Sequence, residues 1–236
     1  FRHNFKRVGL SGLLGGVALA FAFIFFIFGM TYTSAATTLF MIGTQPLFAG
    51  LFAYIFLREY VRAATLIACV ISLGGMFIMA YSDWQSGTFM GWVFGLFCSI
   101  SFATFAVTLR WQPDTPKFTT IMISGVTCAL FSVTMILIFS ENLTMPTRNI
   151  LLSILHGSFV ASGLILLSIG SKYLPAAEFM LLSLTEVVGG VIWCWIPLFG
   201  VNEVPEAYTL IGGLVIIFSI AFHAIGTRQR PVPPTL

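Results

Sequence analysis

Charge is what this chain has least of: Asp, Glu, Lys and Arg make up 8% of its 236 residues, against 58% hydrophobic residues. That scarcity excludes an ordinary water-soluble domain, in which about a quarter of the residues are charged. Nucleic acid is excluded as a partner too, because the basic residues behind the formal net charge of +3 stand between apolar runs and read as topology signals. Cysteine is equally sparse. Cys69, Cys98, Cys128 and Cys194 lie inside apolar segments without a C-x-x-C pair, so they are expected to be core thiols and not metal or redox ligands. The signatures of catalysis are missing as well. The Ser-Gly pairs at Ser124 and Ser162 are preceded two residues earlier by Met122 and Val160 instead of glycine, the three histidines form no H-E-x-x-H, and no phosphate-binding loop is present. The chain is therefore not expected to be an enzyme or an ATP-driven pump, and no cofactor is expected.

What the chain does have is length in its apolar runs. Cutting at polar and charged punctuation leaves eight segments near the roughly 20 residues that cross a bilayer as a helix. They run Val8 to Met30, Ser34 to Leu57, Ala63 to Tyr81, Thr88 to Leu109, Phe118 to Phe139, Ile150 to Gly170, Leu174 to Phe199 and Tyr208 to Ile225. The runs are continuous, whereas barrel strands would alternate over about ten residues. The fold class is therefore an all-α polytopic membrane protein. Lipid is the first partner. When loops are assigned alternately to the two sides, Arg2, Lys6, Arg7, Arg58, Arg62, Arg110, Lys117, Lys172, Arg228 and Arg230 fall on one side and Arg148 alone on the other. The first side is expected to be cytoplasmic, and the tail 227–236, with Pro231, Pro233 and Pro234, to be an unstructured cytoplasmic end.

The chain also repeats itself. At an offset of about 141 residues Gly16 falls on Gly157, Gly29 on Gly170, Tyr32 on Tyr173, and Ala35-Ala36 on Ala176-Ala177. After an insertion of about three residues, Leu57-Arg58-Glu59 meets Val201-Asn202-Glu203 and Thr65-Leu66-Ile67 meets Thr209-Leu210-Ile211. An odd number of crossings separates the copies, so the repeat is inverted. The second copy has two spans, Thr88 to Leu109 and Phe118 to Phe139, that the first lacks, and the chain opens on Phe1 in place of Met. Two helices are expected upstream, giving eight spans here of a ten-helix 5+5 bundle. Residues 1–82 then form a first repeat short of two helices, and 88–226 a five-helix second repeat. Small residues four apart, Gly12 and Gly16, Ala49 and Ala53, Gly91 and Gly95, predict close helix contacts. Pro46 predicts a kink in its span. Its equivalent in the second copy is Val187, so that kink need not be symmetric.

Tyr32-Thr33-Ser34-Ala35-Ala36, Gln45-Pro46-Leu47-Phe48, Leu57-Arg58-Glu59 and Gly74-Gly75 resemble the first half of an EamA-type transporter of the drug/metabolite transporter superfamily. Tyr173-Leu174-Pro175-Ala176-Ala177, Thr185-Glu186-Val187, Asn202-Glu203-Val204-Pro205 and Gly212-Gly213 resemble its second. Val187 departs from the proline that the family often carries after this glutamate. The resemblance implies a secondary carrier in a bacterial inner membrane that exports a small metabolite, amino acid or amphipathic compound, with the C-terminus in the cytoplasm.

The candidate site follows from depth. Glu186 lies roughly 18 Å into its span, and its repeat mate Gln45 roughly 16 Å into its own. An intramembrane carboxylate is costly and faces a bundle interior or a watery cavity. His156, roughly 10 Å below the outer end of its span, is at a depth similar to that of Glu186, so the two could meet. Trp193 is expected to line the path. Substrate binding or proton coupling is expected at Glu186, His156, Gln45 and Trp193, with a small molecule as substrate and protons as a candidate coupling ion. Glu178 is expected to complement a helix dipole, Glu59 to cap or pair at a helix end, and His223 to be peripheral. A scaffold or receptor role is the main alternative.

Overall fold

Among the described residues the apolar runs fold into helices, with no strands. The computed structural model describes residues 8–32, 38, 41–80, 89–112, 114–139, 144, 146–186, 189 and 207–227. Eight α-helices lie among them: α1 (Gly9–Tyr32), α2 (Gln45–Phe52), α3 (Ala63–Ala80), α4 (Phe89–Trp111), α5 (Lys117–Phe139), α6 (Thr147–Gly170), α7 (Ala176–Ser183) and α8 (Ala207–Thr227). Four of these, α1, α4, α5 and α6, are long and apolar enough to cross a membrane. The molecule is an all-α polytopic membrane protein.

Packing follows the small residues. On α1, a Cβ added at Gly12 would come within 2.8 Å of Thr115 Cγ2, and one added at Gly16 within 2.7 Å of both Ile123 Cβ and the Thr120 carbonyl. Those glycines let the α1 backbone lie directly on α5 and the turn before it. Gly95 does the same on α4, where an added Cβ would sit 2.6 Å from Met41 Cβ. Aromatic rings fill the other end of the α1–α4 seam: Phe94 stacks on Phe28 at 5.2 Å and on Tyr32 at 5.5 Å between ring centroids. The seam of α3 with α8 is closed by hydroxyls instead. Ser72 donates to Ser219 at 2.8 Å, and Ser219 donates to the Ala68 carbonyl at 2.6 Å, so polar groups buried in an apolar bundle satisfy one another.

Between these two pairs lie the short helices α2 and α7. Ala49 and Ala53 pack with Ala176, Phe179 and Met180, and Leu47 packs against the cluster of Met76, Leu181 and Leu184. The start of α2 therefore lies beside the end of α7, and its end beside the start of α7. The two helices run antiparallel, as an inverted repeat requires. Their repeat partners do not share equally in the packing. The small-residue face of α1 is buried on α4 and α5, whereas the first two turns and more of α6, from Ile150 to Phe159, are exposed.

The span expected as one helix from Ser34 to Leu57 is broken once and distorted once among its described residues. The chain turns at Gly43–Thr44 and restarts at Gln45, with Pro46 in the first turn of α2, where a missing N–H costs least. At its far end α2 widens into a π-helical turn, Ala53–Leu57, that stops at Arg58 in the left-handed region with φ of 55°.

Candidate functional site

The first break is held open by hydroxyls. Pro46 has no N–H for the Ile42 carbonyl one turn back. Thr44 Oγ1 donates to the Met41 carbonyl at 2.6 Å. Ser99 Oγ, on α4, lies 2.6 Å from Thr44 Oγ1 and 3.4 Å from the Ile42 carbonyl, so its one proton serves both acceptors. Beside this brace sits Gln45, 2% exposed, with no hydrogen-bond partner for its Nε2. A buried amide nitrogen without an acceptor is a costly vacancy of about 1–3 kcal/mol.

The second break has the same form without the proline. Helix α7 ends at Ser183, turns at Leu184, and Thr185 Oγ1 donates to the Leu182 carbonyl at 2.8 Å. Leu184 and Thr185 are the repeat mates of Gly43 and Thr44, and Leu182 is the mate of Met41. Both halves thus turn at this position, although Val187 stands in the second where Pro46 stands in the first. A threonine hydroxyl competing for the carbonyl three residues back is common to both halves. Glu186 follows at once, as Gln45 follows Thr44. Its side chain is exposed in the bundle as described. Antiparallel packing of α2 on α7, with Leu47 against Leu181 and Leu184, brings the Gln45 end and the Glu186 end to one level. Valine at Thr44 removes two hydrogen bonds and leaves Ser99 with only the longer one, while valine at Thr185 removes one. We expect a loss of about 1–2 kcal/mol for Thr44→Val and about half that for Thr185→Val, measured as thermal midpoints in detergent.

The other expected site residues fare differently. His156 lies on the exposed stretch of α6 and makes no hydrogen bond or ion pair with Gln45 or Glu186. Trp193 lies outside the described residues.

A second polar cluster, at the end of the bundle where Arg58, Arg62, Arg110 and Lys117 gather, was underrated by the sequence. Glu178 and His223, 6% and 5% exposed, face each other with Oε2 and Nε2 3.9 Å apart, and Thr65 Oγ1 is 3.3 Å from the same nitrogen. Glu178 is therefore more than a dipole partner at a helix start. Glu59 pairs not with its neighbours in sequence but with Arg110 at the end of α4. Nη2 and Nε approach Glu59 Oε1 at 2.5 and 2.7 Å. Arg110 Nη1 also donates to the carbonyls of Ser171 (3.2 Å) and Leu174. Lys117 donates to the Leu109 carbonyl at 3.0 Å and to Ser171 Oγ at 3.3 Å. The sequence signal for this cluster was the excess of Lys and Arg on one side. Pairing across helices is not written in spacing.

An antiparallel pair of short helices inside an all-α bundle, with four apolar helices long enough to cross a membrane, defines a class, the polytopic membrane proteins. Residues 2–81 match the model of the EamA-like transporter family. No curated protein matches the chain. Among solved structures, one described as "Crystal structure of protein" superposes with a TM-score of 0.71 at 17% identity, covering 95% of this chain and 82% of that one. At that identity the likeness is one of fold.

Proposed function

We propose that the chain is a secondary transporter that moves a small molecule across a membrane by alternating access, with Gln45 and Glu186 at its central site. One observation carries this reading: two antiparallel helices break at equivalent positions, and each break is followed by a polar residue, one amide and one carboxylate. Interrupted helices at the interface of inverted repeats are where such carriers bind solute and coupling ion, because the interruption frees polar groups that a continuous helix consumes. The end rich in Lys and Arg is cytoplasmic in this proposal, the membrane is a bacterial inner membrane, and the C-terminus is inside. Export of a metabolite, amino acid or amphipathic compound, with protons as coupling ion, is the direction and chemistry we favour. Lys and Arg stand only at helix ends among the described residues, which suits a substrate that is not a polyanion.

Proteoliposomes containing the protein test this with a panel of amino acids and amphipathic cations, with and without a pH gradient. We expect gradient-dependent movement of at least one of them. A folded, inserted protein that moves none, and binds none by thermal shift, would turn the reading towards a scaffold.

A further inference from the structure

Access to a central site from the basic end requires the helix ends there to part, and the described contacts converge on one side chain. We infer that Arg110 is the gate residue of that end: its guanidinium ties the first repeat to the second, and its release opens the path to the breaks. The meaning of the inference rests on the carrier reading above, although its test does not.

Arg110 stands in the last turn of α4 and reaches three places at once. Glu59, which follows α2 and its π-helical turn, belongs to the first repeat, while Ser171 and Leu174 belong to the turn between α6 and α7 in the second. A planar cation with five donors can hold a carboxylate and two carbonyls together; a lysine ammonium in the same place cannot match that fork. Lys117 fastens the same turn from α5 through Ser171 Oγ. Without the guanidinium, no hydrogen bond or ion pair among the described residues joins Glu59 to that turn.

Two features mark this contact as able to open and not merely as a brace. The first is the element that carries Glu59. A π-helical turn followed by a left-handed Arg58 is a high-energy way to end a helix; such turns cluster at moving sites. The Glu59 N–H reaches back to the Ala53 carbonyl at 3.1 Å, so a change in the turn moves the carboxylate directly. The second is incomplete satisfaction. Glu59 Oε2 is buried without a hydrogen-bond partner, which makes the closed arrangement costly as well as strong. It borders a small recess of about 10 Å³, room for a single water, between the two repeats, lined by Ala53, Val61 and Arg62 of the first and by Pro175, Ala177 and Glu178 of the second. Ala177 lies on that wall and is 3% exposed. Opening along this recess leads between α2 and α7 towards Gln45 and Glu186.

The test uses the full chain in membrane vesicles, with the native cysteines replaced by serine or alanine and a reporter, Ala177→Cys, on the wall of the recess. A membrane-impermeant maleimide is added from the basic side and the labelling rate is read. With Arg110 in place the reporter should react slowly; Arg110→Gln should raise the rate about tenfold or more, as an open state that is rare becomes common. Glu59→Gln, which removes one anchor and keeps its shape, should raise it less, and Arg110→Lys should fall between the wild type and Arg110→Gln. Should either strong variant fail to fold, the Arg110→Lys rate decides. Rates that stay within about twofold of the parent in folded variants overturn the inference. If labelling follows this order while no solute is ever moved, the gate stands and the carrier reading falls. If solute is moved but labelling ignores Arg110, the reverse holds.

Discussion

Glu186→Gln is expected to lower the rate of solute movement by on the order of a hundredfold or more, and to remove what remains of its response to a pH gradient. The substitution keeps the volume of the side chain and its capacity to accept and donate hydrogen bonds, so the bundle should fold and label as the parent does. What it removes is the charge and the exchangeable proton. After the change, both breaks end in an amide: Gln45 after Thr44 in the first repeat, and the new one after Thr185 in the second. A site that uses a carboxylate to neutralise a cation, or to carry a proton between the two sides, then has neither function left. Gln45→Ala should be milder, about tenfold, because it removes a neutral group. Glu186→Asp separates the two uses of the charge. It preserves a titratable group one methylene shorter, so coupling to the gradient should persist even where the maximal rate drops. Undiminished, gradient-dependent movement in Glu186→Gln would eliminate the carboxylate from the mechanism.

The candidacy of Glu186 and Gln45 was legible in the sequence because a charge or amide deep in an apolar run is rare, and the repeat alignment pairs the two positions. The break at Pro46 was legible for the same kind of reason: a missing N–H has a local consequence. Its mirror at Leu184 was not, because the signal there is a threonine hydroxyl bonding the Leu182 carbonyl, and threonine in an apolar helix is compatible with either a straight or a broken course. The pairing of Arg110 with Glu59, and of Glu178 with His223, was invisible for a different reason. Their partners are 51 and 45 positions apart in the chain, on helices whose rotation about their own axes is fixed by packing. Periodicity locates a residue along a helix. It does not say which neighbour its face will meet, and His156 shows the same limit from the other side, since it makes no hydrogen bond or ion pair with Glu186.

Gly16→Ala and Gly157→Ala occupy equivalent positions in the two repeats, and they are expected to have opposite effects. At Gly16 the new methyl would meet Ile123 Cβ and the Thr120 carbonyl at 2.7 Å. A backbone oxygen cannot swing aside as a side chain can, so α1 must lift from α5, at about 1–3 kcal/mol and a fall of about 2–10 °C in the thermal midpoint. At Gly157 nothing lies within 4 Å of the added methyl. The alanine there relieves the entropy that glycine loses in a helix, and the midpoint should hold or rise slightly. The contrast reports on more than two residues. Around Gly157 the α6 surface carries Ser153 and His156, both exposed. Ser158 and Ser162 meet carbonyls of their own helix at 2.8 Å, but imidazole facing hydrocarbon has no such outlet. Lipid is a poor neighbour for that face. Thermal midpoints of the two variants in detergent check the contrast: a clear fall for Gly16→Ala with none for Gly157→Ala is expected, and an equal fall at Gly157 would mean that this face of α6 is already packed against another surface.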